Sequence, residues 1–216
     1  MKVTLLNVTP NAEDHIVEVA RVSSSRKNKK DKPDGLLRYL VQHKHWSPFE
    51  HGHATFEIET SKAIGIQLIR HRSFAFQEFS QRYQDVNHLG SIFEPIELRE
   101  QCEDNRQSST EVINPIIPYK GTPTSAQELI QNHLQNAQGL YTRLLDNGVA
   151  REQARMVLPL ATTTKIHMTG SIRSWIHFLE LRDDGHAQKE IQLIAQEIKH
   201  IFIKEFPIIS NALKYE

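Results

Sequence analysis

Between residues 54 and 72 a strand pattern is followed closely by a helix pattern, which ends on three basic side chains. Ala54, Phe56 and Ile58 alternate with Thr55, Glu57 and Glu59, the period of two expected of a half-buried strand. Ile64, Ile66, Leu68 and Ile69 then supply the apolar positions of a helix expected over 62–72. Arg70, His71 and Arg72 close it. Cations suit a helix C-terminus, where they meet the negative end of the macrodipole. The same trio is also a grip for an anion, because the guanidinium fork hydrogen-bonds phosphate oxygens in pairs. Both readings stand for these residues taken alone.

The rest of the chain supplies more helix than strand. A first strand is expected over Val3–Val8. A helix opened by Pro10 and Asn11 should run to Val22, and another should span Pro33–His45. Ser47-Pro48 reads as a helix start, with Ser as cap and Pro in the first position. Further helices are expected over Thr124–Asn147 (ended by Gly148), Ala150–Val157, Ser171–Leu181 and Ala187–Phe206, and a Thr-rich strand over Ala161–Thr169. Val86–Gly121 is polar, holds Pro95, Pro115 and Pro118, and is expected to be an irregular excursion. Ser23–Lys32 is expected to be a solvated basic loop. No repeat and no linker interrupts residues 1–216. The fold class expected is α+β, one compact domain with a small, mostly antiparallel sheet and several packed helices.

Composition removes whole classes of function. Lys and Arg number 26 against 26 Asp and Glu, so no bulk field favours nucleic acid or an acidic membrane surface. A single cysteine, Cys102, rules out an intrachain disulfide. The first fifteen residues do not read as a leader, and no apolar run approaches the ~18 residues of a membrane span. The expected location is the cytoplasm. The nine glycines form neither G-x-G nor a Walker pattern, so a nucleotide would have to be held by side chains.

The arginines therefore carry the interest. Arg70, Arg72, Arg82, Arg155, Arg173 and Arg182 all stand at or near expected element ends. Within Arg70–Tyr83 the trio is followed by Glu78, Ser80, Gln81 and Arg82, with Phe74 and Phe76 interleaved. A carboxylate inside an anion grip suggests that a base edge or a ribose hydroxyl is read as well. In LELRDDGHAQKEI, Arg182 can satisfy the last helix carbonyls, Gly185 can cap the helix and Asp184 can start the next. Two other functions fit parts of the pattern. His43, His45, His51 and His53 form two H-x-H pairs that could ligate zinc beside Glu50 as a base, though no HExxH or CxxC accompanies them and no metal site is expected. Arg70, Arg72 and Arg82 with Phe74 and Phe76 could stack and hold RNA; neutrality and the neighbouring Glu78 and Asp85 oppose that.

Arg-His-Arg followed after seven residues by Ser80, with Glu78 two residues before it and Arg82-Tyr83 after it, resembles the motif of the flavin-dependent thymidylate synthases. Further blocks are similar in the same order: Ala20–Ser23, His45–His51, Ile64–Arg72, Ala150–Leu160 and Ser171–Ile191. Val86–Thr122 is dissimilar. The resemblance implies transfer of a methylene group from methylenetetrahydrofolate to dUMP, giving dTMP, with FAD reduced by NADPH as the hydride source. It also implies a homotetramer with active sites between subunits. Carried onto this sequence, it implies dUMP contacts at Gln67, Arg70, Glu78, Ser80, Gln81, Arg82, Arg155 and Arg182. It implies flavin contacts at Ser23, Ser47, Glu50, Arg70, His71, Arg72, Glu78, Ser171, Arg173 and His177. Arg182 is the residue implied to activate the uracil. The family commonly has Asn where this chain has Gln77, Ser171 and His177. No cysteine lies near the motif, so the ring would be activated by polarisation beside a permanently charged guanidinium. Ser80, with no evident His-Asp pair to activate it, is then a phosphate or ribose contact.

Overall fold

The computed structural model describes residues 1–23 and 33–215. Residues 24–32 of the expected basic loop therefore lie outside the described part. The described elements in chain order are β1 (Lys2–Val8), α1 (Ala12–Ala20), α2 (Pro33–Gln42), β2 (His53–Ser61), α3 (Lys62–Leu68), β3 (Ala75–Glu78), β4 (Arg99–Gln101), β5 (Ser109–Val112), β6 (Ile116–Tyr119), β7 (Thr122–Ser125), α4 (Ala126–Asp146), α5 (Arg151–Ala154), β8 (Thr163–Ser171), α6 (Ile172–Arg182), α7 (Lys189–Glu205) and α8 (Pro207–Leu213). Strands β1, β2, β8 and β3 form one sheet in that order. Two antiparallel ribbons, β4–β5 and β6–β7, complete the β structure. The class is α+β, as expected. Among the described residues no helix is long and apolar enough to cross a membrane.

The chain divides into two compact units. One comprises Lys2–Ile58, Ile69–Gln77 and His167–Glu216. Its core is aromatic. Trp175 of α6 is fully buried, donates its indole N–H to the Ala54 carbonyl at 3.1 Å, and meets Phe56 and Phe74 edge-on with centroids 4.8 and 4.6 Å away. Edge-to-face pairs of this kind add to the burial of the rings. A Cβ on Gly170 would lie 2.4 Å from the Phe74 ring, so only glycine lets the ring settle there. Ser171 caps α6 by accepting the Ser174 N–H at 3.2 Å. Glu13 of α1 plays a similar part for α8, accepting the Ile209 N–H at 2.8 Å.

The other unit comprises Met1, Glu59–Leu68 and Glu78–Ile166. Val86, Tyr141 and Ala154 are buried at its centre, packed by Phe79, Leu144, Leu145, Val149, Val157 and Leu158. Helix α4 is capped by Ser125, which accepts the Glu128 N–H at 3.2 Å, and it ends at Gly148, whose φ of 79° is open to glycine at no steric cost.

Several expected boundaries are corrected. Helix α3 stops at Leu68 rather than Arg72, and a strand, β3, occupies the middle of the motif. Phe74 accounts for this: it is buried against Trp175, and its N–H closes a turn onto the His71 carbonyl at 3.2 Å. Tertiary packing overrides the helical run. Ser47 does not cap its turn; Trp46 holds the cap position and Ser47 opens the short 3-10 turn Ser47–His51. The stretch 86–121 is not irregular throughout. It holds β4, β5 and β6, and Lys120 and Gly121, both at positive φ, make the two-residue turn from β6 to β7. Asp183, not Gly185, is the C-cap of α6, and α7 begins at Lys189 with Gln188 in the cap position rather than at Asp184. Helix α8 was not expected; Pro207 in its first turn was the available signal.

Candidate active site

In the unit built around Trp175, α6 buries Ile172, Trp175, Ile176 and Leu179 and turns Arg173, His177 and Glu180 outward. Spacings of four and three residues put these three side chains on one face. They line a cavity of about 460 Å³ together with Trp46, Glu50, Ser73, Ser174 and Ile176. That volume is within the range of small-ligand sites. Glu50 is clamped from both sides: Arg173 Nη1 donates to its Oε1 at 2.8 Å and Ser171 Oγ donates to its Oε2 at 2.6 Å. The Ser171 hydroxyl above all, and then Arg173, hold the Glu50 carboxyl below its ordinary range against the opposing effect of burial.

The trio at the start of the motif separates. Arg70 and Arg72 are exposed, whereas His71 turns inward. Arg182, the last residue of α6, donates its Nε–H to His71 Nε2 at 3.0 Å. Nε2 therefore carries the lone pair and the ring proton sits on Nδ1. Burial above all, then the charge of Arg182 and the nearby His177, push the His71 imidazole down to about 4, so it is neutral near pH 7. Burial also lowers the Arg182 guanidinium from its ordinary value. Arg182 has no carboxylate partner among the described residues. It does not satisfy the last helix carbonyls as its sequence position suggested.

The second unit holds Gln67, Glu78, Ser80, Gln81, Arg82 and Arg155. Glu78, at the end of β3, accepts Lys62 Nζ and Thr164 Oγ1, each at 2.8 Å and both on Oε1. Gly65 lies beneath; a Cβ there would come within 3.6 Å of that oxygen. Ser80 and Gln81 follow in a turn in which the Ser80 carbonyl accepts from Tyr83 and Gln84 at 3.1 and 3.0 Å. The Gln81 side chain is buried and its Nε2 has no partner among the described residues. Arg82 is exposed and stands over the Tyr83 ring, 5.8 Å from the centroid. Gln67 lies on α3, and Arg155 opens the 3-10 turn after α5 with Nε 3.4 Å from the Glu152 carbonyl. In the first unit, Ser23 ends the 3-10 turn Arg21–Ser23.

Glu50, Arg173 and His177 thus share one cavity wall, with Ser171 behind Glu50, while Glu78 is set among Lys62 and Thr164. Sequence reasoning missed Trp46, Ser73, Ser174 and Glu180 in the cavity, and Lys62 and Thr164 beside Glu78. The period of α6 was enough to find Glu180; nothing in the sequence singled out Lys62. Of the four histidines in the two H-x-H pairs, His43 and His45 meet Tyr39 edge-on, with centroids 4.2 and 5.8 Å away. Among the described residues no group of three or more His, Cys, Asp or Glu could hold a metal ion. Cys102 sits in the β4–β5 ribbon, its N–H donating to the Ser108 carbonyl at 3.2 Å.

Residues 4–208 match the family model described as thymidylate synthase complementing protein. The chain is 43% identical over 205 residues to a probable flavin-dependent thymidylate synthase of Paramecium bursaria Chlorella virus 1, covering 94% of this chain and 91% of the relative. It is 39% identical over 203 residues to a flavin-dependent thymidylate synthase of Synechocystis, covering 94% and 90%. Among solved structures, a UMP/dUMP methylase from Streptomyces cacaoi bound with 5-Br dUMP is similar at a TM-score of 0.78 and 30% identity, covering 99% of this chain and 94% of that one.

Proposed function

The chain belongs to the family of flavin-dependent thymidylate synthases, and from that premise we propose how its own side chains divide the work. The enzyme methylates dUMP to dTMP, with methylenetetrahydrofolate as carbon donor, NADPH as reductant and FAD as resident cofactor. It works as a homotetramer in the cytoplasm as a single-domain protein, with sites completed between subunits.

One observation carries the reading: Arg182 is half-buried, fixed, and unpaired by any carboxylate among the described residues. A guanidinium in that state keeps its full charge for the negative charge that develops on an activated pyrimidine. Arg70, Arg82 and Arg155 bind the phosphate and Ser80 the phosphate or ribose, each by charge-assisted or hydroxyl hydrogen bonds. Glu78 offers Oε2, since the Lys62 and Thr164 bonds both fall on Oε1. Gln67 and Gln81 complete the nucleotide contacts, the buried Nε2 of Gln81 being a donor in search of an acceptor.

The cavity suits a flavin by its donor set. Trp46 and His177 offer flat faces, Ser73 and Ser174 hydroxyls, and Arg173 a cation already oriented by Glu50. Ser23, Ser47, Glu50, Ser171, Arg70, His71 and Arg72 are the remaining residues assigned to it. When bound, the flavin supplies the hydride. The protein's part is to hold and orient the pyrimidine and to exclude water.

Purified protein should turn yellow with FAD, bleach with NADPH, and form dTMP only when dUMP and methylenetetrahydrofolate are both present. A protein that takes up no flavin refutes the reading.

A further inference from the structure

We propose that His71 is a positioning residue for Arg182: its imidazole accepts the Nε–H and fixes the guanidinium plane without cancelling the charge. The proposal rests on the reading that Arg182 activates the pyrimidine, and it gives His71 this task in addition to the flavin contact proposed above.

The geometry is that of a built support. Arg182 Nε lies 3.0 Å from His71 Nε2, a bond between two half-buried side chains. The imidazole is itself fixed by rings. Phe178 of α6 meets it edge-on with centroids 4.9 Å apart, and Phe74 does so at 6.2 Å. Phe74 is pinned in turn by Trp175 at 4.6 Å and by the missing Cβ of Gly170. The fixed chain thus runs from Gly170 through Phe74 and His71 to Arg182, all within one unit. Such ring contacts leave the imidazole little freedom to rotate away from the guanidinium.

The chemistry explains why histidine stands here. A carboxylate would grip Arg182 more tightly, but its negative charge would offset the positive charge that an anionic pyrimidine needs. An amide or a neutral imidazole accepts the same proton without that loss. Arg182 spends one of its five N–H donors on His71, and neither Nη has a bond to the described residues. The four remaining N–H groups stay available to a ligand edge that carries oxygen or nitrogen acceptors. The lowered proton affinity of His71 is consistent with this role, because a protonated ring could not accept from Arg182.

A double-mutant cycle between His71 and Arg182 tests the proposal. His71→Phe keeps the flat ring and removes the acceptor; His71→Gln restores an acceptor near the Nε2 position. Flavin content, melting temperature, the dUMP dissociation constant by calorimetry, and kcat/KM for dUMP are read for each. H71F should lower kcat/KM for dUMP on the order of ten- to hundredfold, the cost of one hydrogen bond to a charged group. Turnover is expressed per bound flavin, so that any loss of flavin is separated from the loss in dUMP turnover, and H71Q should recover most of the latter. In the Arg182→Ala background H71F should cost less than about threefold, because its route of action is gone. If H71F proves unable to fold, His71→Asn, whose amide falls short of Nε2, takes its place in the cycle. An H71F loss of equal size with and without Arg182 overturns the proposal, as does a loss that disappears when turnover is expressed per bound flavin, or wild-type turnover in H71F. Normal turnover in R182A is a different result: it removes the assigned role of Arg182 and this support with it.

Discussion

Arg182 and Glu78, both proposed as site residues, are each fixed by neighbouring side chains, but the two supports treat charge in opposite ways. Arg182 is held by a neutral imidazole and keeps its charge. Glu78 is held by Lys62 and Thr164, so a cation sits 2.8 Å from one of its oxygens and part of its charge is offset. The difference teaches what each group is suited to do. An uncompensated half-buried cation stabilises an anion that appears during a reaction. A partly compensated carboxylate is suited to a standing role, as a fixed acceptor for a hydroxyl or N–H that is present throughout.

The largest test breaks the first half of that contrast. Arg182→Ala should lower turnover of dUMP by about 10²–10³-fold, as removal of an electrostatic donor does elsewhere, while flavin content and melting temperature stay near wild type. Arg182→Lys should recover little, since an ammonium lacks the planar fork. Activity within about twofold of wild type for R182A would end the assignment.

The second test works on the other half. Lys62→Met leaves Glu78 with Thr164 alone and should raise KM for dUMP by about five- to tenfold with a smaller change in kcat, the size expected for one charge-assisted bond. A pure kcat effect would mean that Glu78 acts in the chemistry and not in binding.

Gly170→Ala sharpens the comparison from behind the site. The added Cβ would meet the Phe74 ring at 2.4 Å, so the ring must move. Overpacking of this kind costs about 1–3 kcal/mol, which should appear as a lower melting temperature together with weaker dUMP turnover. A variant as stable and as active as wild type would show that Phe74 has room to give.

The smallest expected effect is a pH slope. His71 titrates at about 4 in the folded chain, against roughly 6.5 when unfolded. The unfolded chain therefore binds the proton first, and the stability that His71 contributes is present above roughly pH 6.5 and is lost as pH falls towards 4. Melting temperature followed over that window should fall more steeply in wild type than in H71F. Parallel curves would contradict a neutral, buried His71.

Much of the first contrast was legible in residues, and little of the second. The helix over α6, its cap and its outward Arg173 and His177 follow from a local period and from a serine at the start, both of which act within one or two turns. Arg182 stood out as a basic residue at a helix end, yet the local expectation, that it would satisfy carbonyls, was the wrong partner. His71 lies 111 residues away in the chain, and no local pattern announces such a bond. Lys62 looked like an ordinary first-turn residue of α3. Its contact with Glu78 exists because Glu78 ends β3 beside β8, and no strand was expected over β3, which follows the helix expected over 62–72.

By itself the sequence determined the α+β class, the positions of most helices, the charge balance and the set of side chains proposed for the nucleotide. Those properties depend on residue type and on spacing over a few positions. The tertiary structure alone decided which cation keeps its charge and which anion is partly neutralised. That outcome depends on which side chains, distant in the chain, share a half-buried space where water no longer screens them.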